Sequence, residues 1–237
     1  GSVAISTGTL TSVTGTLDDG TGNDTIALTL ATTGVNISSA DTTDVDSIVL
    51  ASGVSATMTI AQHALITSAA GANTVTLSDA GTVTGNAAVE SYVLAAGSQS
   101  FTLGASGQNV TLDSTGSSGS VAISTGTLTS VTGTLDDGTG NDTIALTLAT
   151  TGVDISSANT TDVDSIALAS GISATMTIAQ HALITSAAGT NTVTLSNAGT
   201  VSANAAVEGY VLAAAGNSAF TLGATGQNIT TGSAGTD

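Results

Sequence analysis

The chain has 237 residues, 17 acidic side chains, no Lys, Arg, Cys or Pro, and a net charge of −17. With no basic side chain it has none to form an internal salt bridge, so its charge must be met by cations from solution or a cationic partner; nucleic acid and anionic membrane surfaces, which are bound through Lys and Arg, are excluded as partners. The absence of Cys rules out a disulfide framework, no apolar run is long enough for a transmembrane segment, and 41% hydrophobic residues in short regular clusters argue against a disordered chain.

Residues 1–10 recur as residues 119–128, an offset of 118. The same offset relates Asp19 to Asp137, His63 to His181 and Glu90 to Glu208, until one inserted residue near Ala215 moves Phe101 onto Phe220. The chain is therefore two tandem units, 1–118 and 119–237, and both ends read as cuts in a longer protein. Along the first unit, β-type clusters stand at 25–28, 35–37, 48–50, 57–60, 74–77, 92–94, 101–103 and 109–112, with centres roughly every nine to ten residues. Each alternates an apolar or β-branched residue with Thr, Ser or Ala, the period-two pattern of a half-buried strand. Gly, Asn, Asp and Ser fill the gaps as turn formers. Residues 60–66 read instead as a short helical turn, a local excursion, and Met58, Met176, Phe101 and Phe220 as interior residues.

Strands this short and evenly spaced, with only 2% aromatic residues, predict an all-β fold: a β-solenoid of the β-roll or parallel β-helix kind, whose coils stack small aliphatic side chains in ladders. Two strands per coil predict about eighteen to twenty residues per turn. The absence of Pro fits, because every coil N–H is then free to donate to its neighbour. Tandem β-sandwich domains are the alternative, although a sandwich usually buries a large aromatic.

The most specific motif is the turn holding Asp18, Asp19, Gly20, Gly22, Asn23 and Asp24, repeated as Asp136, Asp137, Gly138, Gly140, Asn141 and Asp142. Its carboxylates repel one another without a cation. Calcium takes six to eight oxygen ligands, so a Gly turn exposing carbonyls beside Asp carboxylates suits it. A metal-free hairpin turn is the other reading of the same residues. A second acidic group, Asp41, Asp44 and Asp46, returns as Asn159, Asp162 and Asp164, and is a further candidate for metal. Glu90 and Glu208 are expected to face solvent, and His63 and His181 to be surface turn residues without a zinc constellation. No phosphate loop or nucleophile elbow is present, and no Arg or Lys is available to hold an acidic sugar. The chain is not expected to be an enzyme.

The turn 19–27 resembles the Gly-Gly-x-Gly-x-Asp-x-apolar-x nonapeptide of the RTX calcium-binding family, departing at its first Gly, which is Asp19 here. Each unit has one clear copy, where the family stacks several and shares ions between turns; residues 232–237 match the start of another. The wider unit, through residues 56–63, 86–90 and 101–110, is similar to the long repeats of bacterial RTX-type adhesins and surface-layer proteins. That resemblance implies Ca2+ as the bound ion, type I secretion, folding outside the cell, and a place at the bacterial surface or in extracellular matrix. The expected role is a rigid spacer or a filament or surface-layer unit that assembles with copies of itself, end to end or laterally. The alternative is a solenoid that binds ice or polysaccharide through Thr-x-Thr strands such as 57–59 and 74–76.

Overall fold

A computed structural model describes residues 1–95, 97–112, 119–139, 141–213, 216 and 218–232. Gly140, the expected unit junction at 114–118, the insertion near Ala215 and the motif start at 233–237 lie outside the described residues. In the first unit the chain runs β1 (Ser2–Ser6), β2 (Thr25–Leu30), β3 (Val35–Asn36), β4 (Ser47–Leu50), β5 (Ser55–Met58), the one-turn helix α1 (Ile60–His63), β6 (Ile66–Ala69), β7 (Thr74–Leu77), β8 (Thr82–Thr84), β9 (Ser91–Leu94), β10 (Ser98–Thr102) and β11 (Asn109–Leu112). In the second it runs β12 (Ser120–Ser124), β13 (Leu135–Asp136), β14 (Thr143–Leu148), β15 (Val153–Asp154), β16 (Ser165–Leu168), β17 (Ser173–Met176), α2 (Ile178–His181), β18 (Ile184–Ala187), β19 (Thr192–Leu195), β20 (Thr200–Ser202), β21 (Gly209–Leu212), β22 (Ala219–Thr221) and β23 (Asn228–Thr231).

These strands stack in parallel as a β-solenoid of about 11 turns. At the usual spacing of parallel strands the rod is roughly 50 Å long. One face carries β1-β2-β4-β6, then β8-β10-β12-β14-β16-β18, then β20-β22; the other carries β3-β5-β7-β9-β11-β13, then β15-β17-β19-β21-β23. The sheets run on from the first unit into the second, with Phe101 opposite Ile123 and Val110 opposite Leu135.

Coil length departs from the expected eighteen to twenty residues. Partners are as close as 17 residues apart (Thr74 and Ser91) and as far as 25 (Val110 and Leu135). The long coils open each unit, where an extra side is held only by single bridges such as Ser12 with Asn36 and Thr16 with Asp41.

Alternation along each strand turns every second residue inward. Register then aligns these residues coil on coil: Val35, Ala56, Val75, Tyr92, Val110 and Leu135 form one interior ladder, and Met58, Leu77, Leu94 and Leu112 another. Met58, Met176 and Phe101 are buried as expected, while Phe220, in the last coil, is only partly so.

The helical turn at 60–63 is present, and it overturns the expectation for the histidines. Thr59 caps α1 with a full capping box to Gln62, and one turn later the backbone delivers His63 into the core instead of the surface. His63 and His181 are buried, their Nε2 atoms 2.9 Å from the Tyr92 hydroxyl and 3.0 Å from that of Tyr210. Tyr92 in turn packs on Phe101 at 4.9 Å between ring centroids, as Tyr210 does on Phe220, so the few aromatic residues form one column in each unit. Among the described residues no helix is long and apolar enough to cross a membrane.

Candidate metal centre

The two acidic groups that are separate in sequence meet in space. Asp18 and Asp19, at the start of the Gly turn, and Asp44, from the coil stacked above, place carboxylate oxygens within 4.8 Å of one another. Asp136, Asp137 and Asp162 do the same in the second unit. Solenoid stacking explains the meeting: Thr16 bridges Asp41, which sets the turn after Thr16 beside the turn after Asp41.

The turn itself is held by local bonds. The Gly20 N–H donates to Asp18 Oδ1 at 2.7 Å, and the Gly138 N–H to Asp136 Oδ1 at 2.8 Å. Both glycines have φ near +80°, which side-chain-bearing residues rarely adopt. Asp24 lines the same small cavity as Asp18 and Asp19, about 120 Å³ with Val3 and Ile5 on its apolar side. Its carboxylate pairs with the Gly1 amino group. The equivalent Asp142 is buried; its Oδ1 accepts the Gly119 N–H, and its Oδ2 has no hydrogen-bond partner.

Other sequence candidates have different work. Asp46 Oδ2 accepts the Ile26 N–H at 2.7 Å and Asp164 Oδ2 the Ile144 N–H at 2.8 Å, tying one coil to the next. Asp41 Oδ1 accepts from the Thr43 N–H and hydroxyl, and Asn159 Oδ1 makes the same two bonds to Thr161. An amide does this as well as a carboxylate, so the position needs an acceptor and no charge. The exchanges Asp79 for Asn197 and Asn36 for Asp154 follow the same rule, each oxygen capping a backbone N–H. Asp18, Asp19 and Asp44 stay carboxylates in both units. Gly22 and Asn23 belong to the turn but contribute no carboxylate to the cluster, and neither does Asn141.

The electrostatics of the cluster are those of like charges held together. Loss of surrounding water, then the charges of Asp19 and Asp18, raise the Asp44 carboxyl above its ordinary value. Desolvation, followed by Asp162 and Asp136, does the same to Asp137. A divalent cation would relieve both effects, and calcium accepts such mixed mono- and bidentate carboxylate sets with flexible geometry. The free Oδ2 of Asp142, whose charge also acts on Asp137, is a further donor that fits a cation at this end of the turn.

Glu90 is exposed and Glu208 half-exposed, yet neither is idle: their Oε2 atoms accept the Asn73 and Asn191 N–H groups at 2.8 and 2.7 Å. What sequence reasoning missed is a set of buried corner amides. Gln62 Nε2 donates to the Ile37 and Ala40 carbonyls, and Gln108 Nε2 to those of Asn86 and Val89. A Gln three residues after a Thr, within a helical turn, is the one signal that pointed to the first of them. Compared with protein-family models, curated proteins and solved structures, the chain matches none.

Proposed function

We propose that the chain is a structural repeat segment of a secreted bacterial surface or extracellular-matrix protein, a rigid spacer whose coils are stiffened by Ca2+. The observation that carries this reading is the carboxylate cluster assembled by coil stacking and reproduced in both units, Asp18, Asp19 and Asp44 in one and Asp136, Asp137 and Asp162 in the other. An ion held there joins two successive coils, so binding favours the stacked state over the unfolded chain. The resemblance of the Asp19–Ala27 turn to the RTX nonapeptide supports calcium as the ion, with export through a type I channel and folding outside the cell as its companions. No catalytic role is part of the proposal. The ice- or polysaccharide-binding alternative draws less support: Thr57 lies beside Thr76 on the outer face, but Val93 takes the next place in that row.

Isothermal titration tests the reading. Calcium is expected to bind with saturation at two ions per chain, one per cluster. Asp44→Asn/Asp162→Asn is expected to weaken binding at least tenfold, about 1.4 kcal/mol per site. Magnesium, which demands octahedral geometry and sheds water reluctantly, is expected to bind more weakly. Equal heats from the variant and the unaltered chain would contradict the assignment.

A further inference from the structure

On the face that begins with β1, the sheet stops at β6 and resumes at β8, then stops again at β18 and resumes at β20. Both breaks follow a one-turn helix: α1 leads the chain into β6 and α2 into β18, and the pairing beside each shifts register, at Ile48/Val49 and at Ile166/Ala167. A groove opens at each break, about 330 Å³ in the first unit and about 370 Å³ in the second. Each has coils stacked on both sides of it, so neither is made by an end of the rod. Ile60, Ile66 and Val83 give the first groove an apolar side, and His63, Thr82 and Thr84 a polar one. In the second, Thr84 returns as Ser202 and keeps its hydroxyl.

The donors of the groove are unspent. The Asn86 N–H donates to the Tyr92 hydroxyl at 2.6 Å, and that hydroxyl stands 2.9 Å from His63 Nε2 and 3.5 Å from the Asn86 carbonyl oxygen. It has one hydrogen to give and the nearer acceptor takes it, so a neutral His63 carries its proton on Nδ1. Burial keeps the imidazole neutral by lowering its pKa. No described residue pairs with Nδ1, and the ring lines the groove. The exposed hydroxyls of Thr82 and Thr84 likewise have no partner among the described residues. His181 repeats the arrangement, with Tyr210 at 3.0 Å and the Asn204 N–H on that hydroxyl at 2.8 Å.

Charge selects the ligand. No acidic residue lines either groove, and none stands on any strand of this face. There is no carboxylate to hold a cation, and a net charge of −17 repels an anion. A neutral ligand with oxygen acceptors and an apolar side fits, and cavities of about 300 Å³ are at the small end of binding sites, suited to a single ring. We infer that each groove binds one sugar ring of a neutral polysaccharide, its C–H side on Ile60, Ile66 and Val83 and its oxygens on His63 Nδ1 and the Thr82 and Thr84 hydroxyls. A polymer is specified because the grooves share a face, six coils apart. That is roughly 29 Å at the usual strand spacing, so one chain lying along the rod enters both and gains by avidity. The Thr57–Thr76 row is on the opposite face and has no part in this site.

The inference goes beyond the structural-segment reading, and affinity electrophoresis of the 237-residue chain tests it without reference to calcium. Native gels contain dissolved neutral glucan, galactan or mannan, with polyanionic alginate as control. At least one neutral polymer is expected to retard the chain, and alginate is not. Thr82→Val/Thr200→Val removes a hydroxyl from each groove, and Ala64→Leu/Ala182→Leu fills both grooves at exposed positions. Each double variant is expected to keep its far-UV circular dichroism spectrum and lose the retardation. Thr82→Val alone leaves one groove intact and is expected to bind the polymer about tenfold more weakly, the loss of avidity. Thr76→Val, on the other face, is expected to change nothing. No retardation by any of the three neutral polymers, equal retardation by alginate, full retardation of both double variants, or its loss in Thr76→Val would overturn the inference. Should filling the grooves alter the spectrum, the threonine variants decide.

Discussion

Gln62 shows how a chain without basic side chains satisfies its interior. Its Oε1 accepts the Thr59 N–H and its Nε2 donates to two carbonyls of the preceding coil, at a corner where sheet pairing cannot reach. Gln62→Leu removes three bonds and leaves buried partners unpaired, which is expected to cost about 3 kcal/mol in urea unfolding. His63 and His181 carry a pH dependence. Burial lowers their pKa below 6.5, so the unfolded chain takes up protons first. Their contribution to stability is full above pH 6.5 and declines as pH falls through that value toward the lower folded pKa. The raised carboxyls of Asp44 and Asp137 act in the opposite sense, gaining stability as they protonate. An Asp44→Asn/Asp137→Asn background isolates the histidines, and urea midpoints there are expected to fall between pH 7 and pH 5. His63 was hidden from the sequence because its placement depends on the Thr59 cap and on a tyrosine 29 residues away, neither visible in local pattern.

Strands were legible where they alternate. Thr74–Leu77 and Asn109–Leu112 expose their period-two pattern directly, and so do most of the clusters that became strands. β6 and β8 were not, because only Ile66 and Val83 of their residues are buried and a single apolar residue carries no period. β13 was beyond sequence in principle, since the same Leu-Asp pair is a strand in one unit and not in the other. The acidic elements were half legible: the Gly turn announced carboxylates, but Asp44 joins Asp18 and Asp19 only through stacking, while Asp46 and Asp41 turned out to bind backbone. Position along the ladder decides mutational cost. Leu77→Ala, between Met58 and Leu94, is expected to lose about 3 kcal/mol. Leu10→Ala in the open first coil is expected to change stability by less than about 0.5 kcal/mol. Chemical denaturation of the two variants checks the contrast.

At the scale of the molecule, the short strand clusters recurring roughly every nine to ten residues and the lack of aromatics were enough to favour a solenoid over a sandwich. Continuity between the units was not legible, because it rests on β10 pairing with β12 across a boundary that composition does not mark. The same rod concentrates a charge of −17 with no basic side chain to offset it, and self-repulsion of that kind weakens a compact state. Thermal melting followed by far-UV circular dichroism, on an EDTA-treated sample and then with calcium added in steps and magnesium as control, is the most direct test of a calcium-stiffened rod. The account predicts a melting temperature that climbs with calcium and far less with magnesium, with each site contributing about 2.7 kcal/mol when the ion stands at a hundred times its dissociation constant. Melting curves that superimpose in EDTA and in calcium would contradict it.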